Sequence, residues 1–73
     1  MAKKGGSAVY RVTEVIGTSS SSWEDAAKNA VQTASGTLRG LRIAEITKLD
    51  VRIENGKVSQ FRARLSLSFK YEA

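Results

Sequence analysis

The side chains available for chemistry in this 73-residue chain are hydroxyls, carboxylates, lysines and arginines, because it contains neither histidine nor cysteine. The commonest general base, the thiol nucleophile and the usual zinc ligands are therefore missing. The serines from Ser19 to Ser22 have no partner base, and no carboxylate pair or activated lysine stands out. These residue types argue against an enzyme and leave binding as the chemistry to look for.

The charge balance is basic, with twelve lysines and arginines against seven acidic residues and a formal charge of +5. Such a balance suits nucleic acid, acidic lipid or an anionic small ligand, and equally an ordinary solvated surface. Lys3 and Lys4 lie in a polar stretch, residues 1–7, that we expect to be disordered, which leaves 8–73 as a single domain. The other basic residues are spread out with no aromatic platform between them, so nucleic acid is disfavoured as a partner.

The small size of the chain limits its core. A domain of this length buries only about 60% of its unfolded surface, and it has no cysteine for a disulfide and no His-Cys cluster for a structural zinc. Oligomerisation is the remaining source of stability. No apolar run is long enough for a membrane span, and the N-terminal residues lack the apolar core of a signal peptide. We therefore expect a cytoplasmic protein that contacts no membrane.

A helix is predicted over Trp23–Leu38, where apolar residues recur at steps of three and four and form one stripe. Its members are Trp23, Ala26, Ala27, Ala30, Val31, Ala34 and Leu38. The helix is expected to end near Gly36 to Gly40, because both glycines can take the left-handed conformation of a C-cap. A single helix with one narrow apolar stripe needs a sheet to bury it.

The turn before this helix consists of hydroxyl residues. Ser21 with Glu24 fits a capping box, and the alternative N-caps are Ser19, Ser20 and Ser22. Free amides at a helix start also attract anions, but this turn lacks the lysine and the glycine spacing of a phosphate loop. Capping is therefore the favoured interpretation.

Three strands surround the helix in sequence. β-Branched residues predict the first over Ala8–Ile16, ended by Gly17. The other two, Leu41–Glu54 and Lys57–Lys70, flank Asn55-Gly56, which is typical of a type I′ hairpin turn. The fold class is therefore α+β, with element order β-α-β-β and a three-stranded antiparallel sheet of order 1-3-2.

Counting outward from the two-residue turn pairs Glu54 with Lys57 and fixes every later pair. One side then carries an apolar ladder that must face the helix, namely Phe61, Ala63, Leu65, Leu67, Phe69 and Tyr71. The other side carries large aliphatics among charged residues, which indicates an interface or a ligand platform. Its large aliphatics are Ile43, Leu49, Val51 and Ile53, and the polar residues among them are Glu45, Gln60, Arg62 and Arg64. A β-bulge near Lys48–Asp50 would shift part of this register and reduce the exposed aliphatic set.

The chain resembles a dodecin over nearly its whole length, from Tyr10 to Tyr71. The resemblance rests on Tyr10-Arg11-Val12, Ile16-Gly17-Thr18-Ser19, Trp23-Glu24-Asp25-Ala26-Ala27, Leu41-Arg42-Ile43-Ala44-Glu45-Ile46, Phe61-Arg62-Ala63-Arg64 and Leu67-Ser68-Phe69. It implies a homododecamer, a hollow shell of cubic symmetry with helices outward and sheets inward. It also implies storage or buffering of flavins rather than enzymatic activity.

The family's flavin site uses a second-strand tryptophan that stacks on the isoalloxazine and a third-strand glutamine that contacts the edge of the ring. The positions resembling these are Ile43 and Arg62, where isoleucine offers no π-face and arginine only donates. The only tryptophan, Trp23, lies on the helix stripe and is assigned to the scaffold. Flavin (FMN, FAD or riboflavin) is thus implied by the resemblance but opposed by these two residues.

The altered flavin site makes the chain similar to the dodecins described as calcium-binding, so calcium is a further candidate. Its acids, however, are scattered, and only a symmetry axis could gather Glu14, Glu45, Asp50 and Glu54. The leading hypothesis is a dodecameric shell in which Ile43, Glu45, Arg62 and Arg64 line the inward sheet face as the ligand site, while Leu49, Val51 and Ile53 form an oligomer interface. Its arginines would hold a small anionic or flavin-type ligand. The alternatives are polyanion binding through a basic surface and a structural assembly without ligand.

Overall fold

The computed structural model describes residues 9–37 and 39–70, which form three strands and one helix. The elements are β1 (Tyr10–Ser19), α1 (Trp23–Thr37), β2 (Leu41–Glu54) and β3 (Lys57–Lys70). β3 lies in the middle and pairs antiparallel with both neighbours, so the strand order is β1-β3-β2. The predicted α+β fold and strand order are confirmed. The expected tail 1–7 lies outside the described residues, as do Leu38 and Tyr71.

The β2–β3 turn has the predicted geometry. Asn55 and Gly56 have φ angles of 53° and 73°, and a type I′ turn requires positive φ at both central residues. Gly40, with φ of 75°, occupies the left-handed region after the helix, and its carbonyl accepts a hydrogen bond from the Lys70 amide at 2.9 Å. Gly36 remains inside α1, so only one of the two glycines has the left-handed conformation predicted for a C-cap.

The core is formed by the alanine seam of α1 packed against β3. Its buried members are Ala26, Ala30 and Ala34 on the helix and Ala63, Leu65, Leu67 and Phe69 on the strand. This confirms Ala26, Ala30 and Ala34 of the predicted helix stripe, with Ala27 and Val31 partly buried, and most of the predicted apolar ladder. The helix lies mainly over β1 and β3 and barely reaches β2, so the helix side of β2 is left largely open.

The first strand continues through Gly17 to Ser19, so the expected end at Ile16 is wrong. A Cβ built on Gly17 would lie 2.1 Å from the Ala26 carbonyl oxygen and 2.8 Å from the Ala30 Cβ. Glycine here is therefore a site of close contact between strand and helix rather than a strand terminator.

The N-cap of α1 is Ser22, one of the alternatives to the Ser21–Glu24 box. The Ser22 hydroxyl accepts a hydrogen bond from the Asp25 amide at 3.0 Å. The buried Ser19 hydroxyl donates to the Asp25 carboxylate at 2.7 Å and accepts from the Ser21 amide at 2.9 Å. These bonds join the end of β1 to the first turn of the helix, so the serine turn serves capping, as favoured.

The β2–β3 register departs from simple counting at two places, at Leu41, which pairs with Phe69, and in the segment from Lys48 to Arg52. From Lys48 to Arg52 the strand is shifted by one residue, so that Leu49 pairs with Ala63 and Val51 with Phe61. The predicted pairing of these two aliphatics with Arg62 and Gln60 is therefore wrong. Leu49 and Val51, with Ile53 next in the alternation, lie on the helix side of the sheet.

Two bulges enclose the shifted segment, one on each strand. Thr47 is the extra residue on β2 and Ser59 the extra residue on β3. The Thr47 hydroxyl donates to the Arg64 carbonyl at 3.2 Å, and the Ser59 hydroxyl donates to the Arg52 carbonyl at 3.2 Å. Each bulge residue thus adds a hydrogen bond to the opposite strand where the ladder is interrupted.

Gly17→Ala is predicted to destabilise the fold by about 1–3 kcal/mol, because the new methyl group must displace the backbone of α1. The matched control is Gly36→Ala, which adds a methyl group with nothing within 4 Å and should gain about 0.5–1 kcal/mol of helix stability. Urea unfolding of both variants measures the difference. Equal effects of the two substitutions would contradict the close packing at Gly17.

Candidate functional site

The sheet surface turned away from α1, here called the open face, gathers most of the charged strand side chains. β1 contributes Tyr10, Val12, Glu14, Ile16 and Thr18, β3 contributes Gln60, Arg62, Arg64, Ser66 and Ser68, and β2 contributes Ile43, Glu45, Lys48, Asp50 and Arg52. Residues paired across strands share a face, so this set follows from the register. The open face is the candidate ligand surface.

All four predicted ligand residues lie on the open face. Ile43, 57% exposed, pairs with Ser68, and Glu45 pairs with the neighbouring Ser66. Arg64 and Arg62 follow in the next two rows toward the hairpin turn. The sheet thus brings the four residues together on one surface, although no two of them are directly opposite each other.

Arg62 is held by a partner that the counted register did not place beside it. The shift in β2 brings Asp50 opposite Arg62, and the two form a bidentate ion pair with Nε–Oδ1 at 2.7 Å and Nη2–Oδ2 at 3.1 Å. The hydrogen bond from Arg62 lowers the pKa of Asp50, and the carboxylate raises that of Arg62. Two of the guanidinium's donor groups are therefore already engaged.

Trp23 supports this pair from the other side of the sheet. Its Nε1–H donates to the Asp50 carbonyl at 2.9 Å, and its ring packs edge-on against Phe61 with centroids 5.2 Å apart and an interplanar angle of 75°. The tryptophan thus fixes the start of α1 to the shifted segment of β2. These contacts agree with the scaffold role predicted for Trp23.

The neighbouring rows of the open face carry charges of opposite sign. Lys48 and Arg64 are directly opposite each other, while Glu14 and Glu45 both pair with Ser66 in the next row. Within 9–37 and 39–70 the ion pairs are Asp50–Arg62 and Arg52–Glu54, so Lys48 and Arg64 have no carboxylate partner there. Simple counting placed Lys48 on the helix side, and the bulge that the sequence predicted near Lys48–Asp50 moves it to the open face.

No group of three or more acidic side chains that could hold a metal occurs in the described part of the chain. Glu14 and Glu45 share a row of the sheet, but a β3 residue lies between them. A calcium site built from one chain alone is therefore not formed by these residues.

The predicted interface residues lie on the helix side of the sheet, where β2 extends beyond the cover of α1. Leu49 is 50% and Ile53 63% exposed, while Val51 is half-buried. Beside them an open groove of about 360 Å³ runs between α1 and β2, here called the apolar groove. Its apolar lining consists of Ala27, Val31, Ala44, Ile46 and Leu65.

The described chain contains no helix long and apolar enough to span a membrane.

Comparison with known proteins gives one consistent family. The family model of dodecin matches residues 9–72. Calcium dodecin of Mycobacterium tuberculosis is 39% identical over 62 residues, which cover 85% of this chain and 87% of that protein.

Solved structures agree with this result. Dodecin from Streptomyces coelicolor has a TM-score of 0.86 at 43% identity, with 93% of this chain and 97% of that chain covered. The Mycobacterium tuberculosis calcium dodecin, a calcium-chelating antigen with a novel calcium-binding site, has a TM-score of 0.79 at 38% identity, with 88% and 91% covered.

Arg62→Gln is predicted to raise the pKa of Asp50 toward the ordinary carboxyl value, because the hydrogen bond from Arg62 is the largest cause of its depression. Arg64→Gln is the matched control and should move that pKa less, since Arg64 acts on Asp50 only through space. A carbon-detected NMR titration of the Asp50 carboxyl measures both shifts.

The Asp50–Arg62 ion pair also determines how the folding stability changes with pH. A depressed folded-state pKa adds stability that is fully present above the unfolded pKa of about 3.9 and is lost as the pH falls through the folded value. The acid limb of the stability curve should therefore be shallower in Arg62→Gln. An unchanged Asp50 pKa in this variant would show that the pair does not form in solution.

Proposed function

The chain belongs to the dodecin family, and we propose that it is a non-enzymatic protein that assembles twelve copies into a hollow shell and binds a small ligand on the open face. The observation that carries this proposal is that the two sides of β2 differ in chemistry. Its helix side presents uncovered aliphatics suited to a second copy, and its other side presents charged residues suited to a ligand. The proposed location is the cytoplasm.

The shape of one chain supports assembly. Its radius of gyration is 15.5 Å and its longest extent 59 Å, whereas a compact domain of this length would have a radius of gyration of about 11 Å. The hairpin end, residues 57–60 of β3, pairs with β2 alone. Two-stranded ribbons are marginal in water, so this end gains stability if another copy covers it.

The exposed aliphatics indicate where such a copy would pack. Leu49, Val51 and Ile53 continue the surface of the apolar groove, whose member Ile46 is 50% exposed. Contiguous apolar surface of this kind marks protein–protein contact. We therefore retain the three residues as interface residues, on the side of the sheet opposite to that predicted from the sequence.

Light scattering at micromolar concentration is predicted to give a mass near that of twelve chains. Ile53→Glu should shift the population toward smaller species, because it places a charge in the proposed interface at a side chain that is 63% exposed in the single chain. Ser35→Glu, at an exposed position of α1, is the matched control and should leave the mass unchanged. A monomeric wild-type protein would contradict both the shell and this account of the aliphatics.

The ligand we propose is anionic rather than a tightly stacked flavin. The position that resembles the family's stacking tryptophan holds Ile43, and the position that resembles its glutamine holds Arg62, which is engaged by Asp50. An aliphatic side chain cannot replace the aromatic face, so flavin binding should be weak. Calcium is the second candidate, supported by the similarity to calcium dodecin, with symmetry supplying ligands beyond Glu14 and Glu45.

Flavin fluorescence is predicted to remain nearly unquenched when wild-type protein is added at micromolar concentration. The double variant Ile43→Trp, Arg62→Gln should restore quenching, because it supplies a π-face and a neutral amide at the two positions. Ser35→Trp is the control, which adds a tryptophan at an exposed position of α1 away from the open face, and should not quench.

Quenching by the wild-type protein at micromolar concentration would contradict the proposal that Ile43 and Arg62 disable the flavin site. Calcium is tested on the same samples by a thermal unfolding series with CaCl₂, using MgCl₂ as the control. A rise in midpoint that is specific to Ca²⁺ would favour the second candidate.

A further inference from the structure

The bulge at Thr47 changes the side of the sheet on which Lys48 lies. Without the bulge, Lys48 would be opposite Ala63 and face the helix, whereas the observed register places it opposite Arg64 on the open face. Bulges commonly occur beside binding sites, where they re-aim a side chain. The result is a cross-strand pair of two cations.

This pair is unfavourable in the absence of a partner. Like charges directly opposite each other in a sheet are destabilising, and in the described ranges no carboxylate lies within ion-pair distance of Lys48 or Arg64. The neighbouring arginine differs, because Asp50 occupies the Nε and Nη2 groups of Arg62. Lys48 and Arg64 are thus the cations of this region that remain available to an anion.

The surroundings of the pair restrict the kind of anion. The next row, about 7 Å along the strands, carries Glu14, Ser66 and Glu45. All three accept hydrogen bonds, and the two carboxylates repel a second negative charge. A depression of about 400 Å³ beside Arg64 is lined also by Glu14 and Ile16. A fitting ligand has one compact anionic group next to hydroxyl donors.

We propose that Lys48 and Arg64 bind the phosphate group of a phosphorylated sugar, whose hydroxyls donate to Glu14 and Glu45. Arginine and lysine both bind phosphate through charge-assisted hydrogen bonds, the guanidinium with fork geometry. Asp50 is a specificity-determining residue, because its ion pair keeps Arg62 from competing for the phosphate. This inference rests on the proposed use of the open face as a ligand surface.

The test is calorimetric titration of the assembled protein at constant low ionic strength with three probes: ribose 5-phosphate, inorganic phosphate and ribose. Ribose 5-phosphate should bind most tightly, inorganic phosphate more weakly, and ribose not measurably. Lys48→Gln and Arg64→Gln should each weaken binding of ribose 5-phosphate by about tenfold or more. Arg52→Gln, the matched control, removes an arginine of the same face that is already paired with Glu54 and should change nothing.

Asp50→Asn is expected to strengthen phosphate binding, in contrast to Lys48→Gln and Arg64→Gln. It therefore tests whether Asp50 contributes to ligand specificity or only to the structure. This near-isosteric change removes the carboxylate that engages Arg62 and leaves the backbone carbonyl that accepts from Trp23. Binding of inorganic phosphate should tighten several-fold, whereas a purely structural role of Asp50 would predict no gain. No change or a loss would overturn the specificity role.

Wild-type affinity in Lys48→Gln and Arg64→Gln, or an equal loss in Arg52→Gln, would overturn the phosphate site. Equal affinity for inorganic phosphate and ribose 5-phosphate would overturn the part assigned to the sugar. Light scattering of each sample distinguishes the two levels of the proposal. If no shell forms, the proposed function fails, and if the shell forms but phosphate binding is independent of Lys48 and Arg64, only this inference fails.

Discussion

Two compensating bulges determine what each side of the long hairpin presents. Thr47 adds a residue to β2 and Ser59 adds one to β3, so the register is slipped by one between them, while residues 43–46 and 53–54 of β2 keep the counted register. Because strand side chains alternate between faces, a slip of one residue exchanges the two sets. Leu49 and Val51 thereby face the helix side, and Lys48 and Asp50 face the other. The hydroxyl hydrogen bonds of both bulge residues support this exchange.

The narrow alanine seam of α1 explains why a single chain leaves apolar surface uncovered. Gly17 lets the helix approach β1 so closely that a methyl group would collide with the Ala26 carbonyl, and the helix is held over β1 and β3. The aliphatics of β2 remain about half exposed, and burying the rest of each would contribute about 1 kcal/mol. Since small domains are stable by only a few kcal/mol, several such side chains decide whether the isolated chain or an assembly is favoured.

The parts of the fold that depend on short-range sequence patterns, such as turn residues and helical spacing, could be predicted from the sequence. The Asn55-Gly56 turn fixed the ends of both long strands, and the alanine spacing fixed the buried face of α1. The end of β1 could not be predicted in the same way. Gly17 is typical of a strand end, and only its distance from Ala26 and Ala30 shows that it is a packing residue inside the strand. The choice of Ser22 as N-cap likewise depends on Ser19 bonding elsewhere.

The candidate site could be predicted from the sequence only in part. The apolar residues of β2 that face the helix side after Ile43 are even-numbered at Ala44 and Ile46 and odd-numbered from Leu49 onward, and this change of phase requires an extra residue between them. Arg62 and Arg64 lie on the unshifted side of β3, so their face followed from counting, whereas Asp50 and Lys48 could reach them only through the slip. The surface suited to assembly and the charges suited to a ligand therefore have one geometric cause, since no register of β2 can provide the one without the other.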